Sequence, residues 1–173
     1  MKENTRVLIP QEKVEERIQQ LADEISRDYD GKGVHLIGIL KGSVFFVCEL
    51  AKRLTIPVTM DFMSVSSYGS GTKSSGVGKI LKDLDQSIEG KNVLIAEDIV
   101  DSGNTYVELK EILKEKGASE SYICSLLLKP EAYKKDVKID YVAMEIPNDF
   151  IVGFGLDYDE LGRNYKDIYV LDE

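Results

Sequence analysis

The chain has 173 residues, with 22 basic and 31 acidic side chains and a formal net charge of −9. At about 150 residues per domain this length suits one domain, and a hydrophobic fraction of 43% is enough for a packed core, which excludes wholesale disorder. A chain this acidic lacks the field of a general nucleic-acid binder; no run reaches the roughly 18 apolar residues needed to span a bilayer, and the start Met1-Lys2-Glu3-Asn4 has no apolar signal core.

In chain order, helices and strands alternate. Pro10 precedes a helix running to about Arg27, with Val14, Ile18, Leu21, Ala22 and Ile25 at helical spacing. Val34–Leu40 is an apolar run of strand length. A helix follows over Ser43–Leu54, with Ser43 as its N-cap. Pro57–Val65 is a strand. The segment Ser66–Gly78 is rich in Ser and Gly and reads as a long loop of the kind that often forms a lid. Strands resume at Ile80–Leu84 and Asn92–Ala96. Tyr106–Lys116 is a helix with Leu109, Ile112 and Leu113 on one face and Gly117 as its stop. Ser121–Leu128, Tyr141–Glu145, Ile151–Phe154 and Ile168–Leu171 complete the strands. This alternation predicts an α/β fold, a mainly parallel sheet flanked by helices. Ligands of such sheets bind beyond the carboxyl ends of the strands, here the loops after Leu40, Ala96, Leu128 and Phe154.

One His and two Cys leave no ligand set for structural zinc. A metal here would take oxygen ligands, which points to Mg²⁺. Cys48 and Cys124 lie in apolar stretches and read as buried, reduced thiols of a cytoplasmic protein.

The loop after Ala96 carries the chemistry. Glu97 and Asp98 end an apolar strand, and Asp101-Ser102-Gly103-Asn104-Thr105 then opens a helix. Gly103 allows a tight turn. Ser102, Thr105 and free backbone N–H groups make a phosphate cradle helped by the helix dipole. Two carboxylates ahead of that cradle would repel a bare polyphosphate. They suit a ligand that also presents hydroxyls and Mg²⁺, namely a ribose 5-phosphate.

Val93–Thr105 (VLIAEDIVDSGNT) resembles the phosphoribosyl pyrophosphate signature of type I phosphoribosyltransferases. More closely, the chain resembles the bacterial hypoxanthine-guanine phosphoribosyltransferases. Leu40-Lys41-Gly42-Ser43, Ser67-Tyr68-Gly69, Leu128-Lys129-Pro130, and Phe150-Ile151-Val152-Gly153 through Asp157-Tyr158 to Arg163 match in order, so the resemblance runs from about Val7 to Val170. It implies the type I phosphoribosyltransferase fold as a single domain over residues 1–173, with a lid at about 66–78 and a small hood built from the chain termini.

The resemblance also implies a reaction: transfer of 5-phosphoribosyl from its pyrophosphate to N9 of hypoxanthine or guanine, giving IMP or GMP. By the same resemblance, Glu97 and Asp98 hold the ribose hydroxyls and water-bridged Mg²⁺. Asp101 faces N7 of the purine as acid/base, and Asp101, Ser102, Gly103, Asn104 and Thr105 hold the 5-phosphate. Many relatives have Lys at the position of Asn104. Lys129 meets the 6-oxo group, Phe150 stacks on the purine, Ile151 contacts the base edge, and Asp157 helps hold a second Mg²⁺. Lys41, Gly42 and Arg163 meet the pyrophosphate, the Leu40–Lys41 peptide can be cis, and Ser67, Tyr68 and Gly69 form the lid. His35, Tyr29, Tyr133 and Tyr165 receive no role. Partners are the small-molecule substrates, with neither nucleic acid nor membrane, in a homodimer or homotetramer. Two alternatives stay open at this point: a xanthine-preferring transferase, and a nucleic-acid-binding regulator on the same fold. The latter needs a basic surface, and this chain offers only scattered lysines such as Lys134-Lys135.

Overall fold

A computed structural model describes residues 4–67 and 77–172. The elements run β1 (Thr5–Ile9), α1 (Gln11–Asp28), β2 (Val34–Ile39), α2 (Val44–Arg53), β3 (Val58–Ser67) and β4 (Val77–Lys82). They continue with β5 (Asn92–Val100), α3 (Asn104–Glu115), β6 (Glu120–Leu128), β7 (Tyr141–Glu145), β8 (Ile151–Val152) and β9 (Ile168–Leu171).

Six strands form the central sheet in the order β4-β3-β2-β5-β6-β7. All neighbours are parallel except β4, which returns antiparallel along β3. β2 is buried at every position, as expected of a strand covered on both faces. Strand alternation sends its residues into two layers. Leu36, with Leu94 and Ala96 of β5 and Cys124 and Leu126 of β6, packs with the buried residues of α1 and α2. Ile37 and Ile39, with Val93, Ile95 and Ile123, pack with Tyr106, Leu109 and Leu113 of α3. α1 buries the five residues whose spacing marked it, Val14, Ile18, Leu21, Ala22 and Ile25. α3 stops at Gly117 as anticipated: Gly117 N–H donates to the Lys114 carbonyl at 3.0 Å and Ala118 N–H to that of Leu113 at 3.1 Å.

A separate three-stranded antiparallel sheet, β1-β9-β8, joins the two ends of the chain. It is the hood that the family resemblance implied. β1 itself had no clear sequence signal: only Ile9 is buried, so Thr5–Ile9 lacks the alternation of a half-buried strand.

Several local expectations are corrected. Ser43 occupies the N-cap position of α2 as expected, but its side chain makes no cap bond; its hydroxyl donates to the Ile39 carbonyl at 2.6 Å, tying the loop back to β2. β5 runs on to Val100, so Glu97 and Asp98 are strand residues. β3 and β4 extend into the expected loop, pairing Ser67 with Val77. β8 is only two residues long, and Gly153 at φ +112° turns the chain away. Cys48 is exposed on α2, whereas Cys124 is buried, and both are unpaired. Among the described residues, no helix is long and apolar enough to cross a membrane.

Two stability predictions arise from this packing. Leu36 is fully buried between the sheet and its helices. Leu36→Ala should lower the unfolding free energy by about 2–5 kcal/mol, read as a lower urea midpoint at constant m. His35 is 2% exposed, and its Nδ1 lies 2.6 Å from Thr59 Oγ1. Burial, helped by Lys91 and partly opposed by Asp61, holds its pKa below 6.5. The folded chain therefore keeps His35 neutral where the unfolded chain protonates it. The unfolded state binds the extra proton below pH 6.5, so stability should fall as pH drops through that value and level off below the folded-state pKa. This contribution is read as the difference between wild type and His35→Gln in urea titrations from pH 7.5 to 5: the variant should lose less stability, or gain more, as pH falls, because the buried carboxyls of Glu97 and Asp98 impose an opposite slope common to both proteins.

Candidate active site

The sheet order reverses at β2. The connection through α2 goes to β3 on one side, and the chain later returns to place β5 on the other. The loops leaving β2 and β5 therefore part from one another and open a crevice at the carboxyl edge. Residues after Ile39 and residues after Val100 stand on its two walls.

On the α3 side lies a cavity of 240 Å³, lined by Ile39, Val65, Glu97, Ile99, Val100 and the Asp101–Gly103 turn with Thr105 and Tyr106. Asn104, the first residue of α3, is not among the lining residues. Gly103 sits at φ +83°, in the left-handed region that favours glycine. A Cβ there would also collide with the Tyr133 ring, so both backbone angle and space demand glycine. The turn delivers the start of α3 to the cavity wall, with the Asn104 N–H donating to Ser102 Oγ at 3.5 Å.

Glu97 and Asp98 are adjacent on β5, so their side chains leave opposite faces of the sheet. Glu97 lines the α3-side cavity. Asp98 turns to the β2 loop, where Gly42 approaches so closely that a Cβ would strike the carboxylate. The Asp98 carboxylate also accepts the Ile99 N–H at 2.8 Å. Burial pushes the Asp98 carboxyl up to about 6, against the pull of backbone N–H groups and Arg163. Burial, and then the charge of Asp98, raise Glu97 well above the usual carboxylate range. Together they place two carboxyls where burial disfavours the charged form unless a cation joins them.

Lys129 follows β6 and is 9% exposed. Its Nζ lies 3.7 Å from Asp101 Oδ2, so the turn after β6 and the turn after β5 meet here. Ile151 is buried in β8, whereas Phe150 is 55% exposed, with its ring edge-on to Tyr158 at 5.8 Å between centroids. Asp157 pairs with Arg163 (Oδ1 to Nη2, 3.2 Å). Arg163 Nη1 donates to the Gly155 carbonyl at 2.8 Å. Gly155 in turn abuts the Gly42 carbonyl, which seats the hood against the β2 loop. The Leu40–Lys41 peptide is cis. Of the lid trio, Ser67 ends β3, while Tyr68 and Gly69 lie outside the described residues.

The arrangement thus brings Glu97, Asp101, Ser102, Gly103 and Thr105 to one cavity, with Lys129 beside Asp101. Asp98, Gly42, Asp157 and Arg163 gather on the hood side. Two residues without a prior role belong here. Tyr133 walls the phosphate-loop candidate at Gly103, its hydroxyl donating to the Val137 carbonyl. Glu160 bonds Lys41 Nζ at 3.0 Å. Tyr133 carries no spacing signal, whereas Glu160 stands three residues before Arg163 in a charged stretch.

Comparison with known proteins gives the family. Residues 8–159 match the family model described as a phosphoribosyl transferase domain. A hypoxanthine-guanine phosphoribosyltransferase of Streptococcus thermophilus is 46% identical over 99% of this chain and 96% of that relative. One from Mycobacterium tuberculosis is 47% identical over 96% of this chain and 85% of that relative. Among solved structures, a hypoxanthine-guanine phosphoribosyltransferase from Bacillus anthracis superimposes with a TM-score of 0.91 at 42% identity, covering 95% of this chain and 97% of that one. A hypoxanthine phosphoribosyltransferase from Staphylococcus aureus gives 0.92 at 42% identity, covering 96% and 91%. The chain belongs to the hypoxanthine-guanine phosphoribosyltransferase family.

Proposed function

We propose that the crevice between the β2 and β5 loops transfers 5-phosphoribosyl from phosphoribosyl pyrophosphate to N9 of hypoxanthine or guanine, yielding IMP or GMP and pyrophosphate. The chain is a transferase of purine salvage by its family membership. The observation that carries the site assignment is the convergence of the Asp101–Thr105 turn, Glu97 and the Lys129 ammonium at one place. A phosphate cradle, a hydroxyl acceptor and a donor for a carbonyl oxygen are the groups that a nucleotide-forming site needs.

In this reading Asp101, Ser102, Gly103, Asn104 and Thr105 bind the 5-phosphate through hydroxyls, backbone N–H groups and the start of α3. Glu97 and Asp98 accept the ribose hydroxyls. As the bond from C1 to pyrophosphate breaks, positive charge grows on the ribose, and their carboxylates stabilise it in a site shielded from water. Asp101 exchanges the proton at purine N7, the group whose protonation state changes as N9 bonds to ribose. Lys129 donates to the 6-oxo group, a contact that the 6-amino group of adenine cannot accept. Phe150 stacks on the ring and the Ile151 backbone meets the base edge. Lys41, the Gly42 backbone and Arg163 receive the pyrophosphate, and Ser67, Tyr68 and Gly69 cover the reacting centre.

The residues fit Mg²⁺. Burial raises both carboxyls at the end of β5, which is the signature of sites short of positive charge. Among the described residues no three-ligand cage forms, and Mg²⁺ usually takes one or two carboxylates plus substrate oxygens. Glu97, Asp98 and Asp157 would hold it, and it would supply neutralising charge at the ribose and pyrophosphate oxygens. A cytoplasmic location and a homodimer or homotetramer complete the reading; two unpaired thiols support the former.

The test is a purified-protein assay with phosphoribosyl pyrophosphate and Mg²⁺ against hypoxanthine, guanine, xanthine, adenine and uracil. Nucleotide should form from the 6-oxopurines, hypoxanthine and guanine foremost; turnover of none of them would sink the proposal. For Asp101→Asn, kcat should fall by about 10²–10⁴ with a smaller change in KM. A kcat near that of the wild type would remove Asp101 from the acid/base role.

A further inference from the structure

We propose that Glu160 is an internal stand-in for the leaving pyrophosphate: its carboxylate bridges Lys41 and Arg163 in the free protein, and the anionic ligand binds by displacing it. The inference rests on the assignment of Lys41 and Arg163 to pyrophosphate given above.

The two carboxylate oxygens are divided between the two cations. Oε2 lies 3.0 Å from Lys41 Nζ, and Oε1 lies 3.6 Å from Arg163 Nη2. One small anion thus spans a cation from the β2 loop and a cation from the hood, as two linked phosphates would. Asp157 also pairs with Arg163, but its other oxygen accepts the Glu160 N–H at 2.8 Å and so serves the backbone of the turn. Among the described residues no backbone bond ties the Glu160 carboxylate, and its partners are the two cations.

The backbone beneath Glu160 points the same way. Tyr158 and Leu161 exchange both backbone hydrogen bonds, at 2.9 and 3.0 Å, enclosing Asp159 and Glu160 as a two-residue turn. Both enclosed residues have positive φ, +49° and +65°. Such turns prefer Asn-Gly or Asp-Gly, because the second position tolerates glycine without strain. Glutamate there keeps a side chain where none would be easier, and that side chain reaches the two cations. A strained position of this kind is a pointer to function when its contacts are specific.

The contact is also built to be exchanged. Glu160 and Lys41 are each 66% exposed at the side chain, so water screens the pair. A multiply charged phosphate outbids a single carboxylate at such a site, and chloride, with less charge than a phosphate group, does not. Glu160 therefore keeps the cradle assembled and neutral until an anion of high charge arrives.

Titration calorimetry with magnesium pyrophosphate tests this on the full chain, using wild type, E160Q, E160D, K41Q and the K41Q/E160Q double variant, each checked for folding by its thermal melt. E160Q should bind about two- to tenfold more tightly than wild type. E160D, which keeps the charge, should not tighten, and K41Q should bind more weakly. The gain from E160Q should shrink in the K41Q background, since the two residues act on one contact. If K41Q weakens binding while E160Q leaves it unchanged or weaker, the stand-in role is overturned and the pyrophosphate assignment stands. If K41Q binds like wild type, the assignment of Lys41 to pyrophosphate fails and takes this inference with it.

Discussion

Everything at the carboxyl edge depends on the parallel pairing of β2 with β5, His35 to Gly38 against Val93 to Ala96. These strands are consecutive in the sheet but not in the chain. Their connections diverge to opposite sides, and the space between becomes the crevice. The pairing also fixes the heights of the two loops. It sets Gly42 against Asp98 and places the Asp101–Thr105 turn across from Ile39. A one-residue slip in this register would send Glu97 and Asp98 to each other's faces and dismantle both halves of the site.

The charge distribution follows from that scaffold. An overall charge of −9 suits poorly a protein whose donor substrate is itself highly anionic. The positions of the charges resolve the conflict. Two acids are forced by the strand into partial or complete burial at the end of β5 and lack compensation. The cations are few and local: Lys129 at the β6 turn, Lys41 and Arg163 where the β2 loop meets the hood. Field strength in the crevice is set by these placements and the helix start, with the bulk charge a distant contribution.

Much of this was legible in the chain itself. α1 and α3 announced themselves through spacing and stop signals, and β2 through an unbroken apolar run. The turn Asp101–Thr105 stood out because its residue types have a chemical use in common. Other features had no local signal. β1 is a strand only because β9 pairs with it, and its own residues are mostly exposed. The reach of β5 to Val100 overrides two acids that read as a loop, because β6 continues to pair with Glu97, Ile99 and Val100. Ser43 looked like a cap, yet its hydroxyl has a nearer acceptor in the Ile39 carbonyl. Tyr133 and Glu160 act through contacts with residues far away in the chain, which no window of sequence displays.

The wall formed by Tyr133 at Gly103 has a consequence for how the chain can vary. Tyr133 belongs to a turn whose N–H groups, those of Ala132 and Tyr133, both donate to the Lys129 carbonyl at 3.1 Å. Lys129 and Gly103 are thus attached to opposite ends of one turn. The backbone angle holds position 103 to glycine whatever stands at 133, so the ring at 133 is shaped to an invariable neighbour, and a reshaped turn there moves Lys129 as well. Three positions spread over about thirty residues of chain are therefore held to one another by contact, and a change at one is felt at the other two.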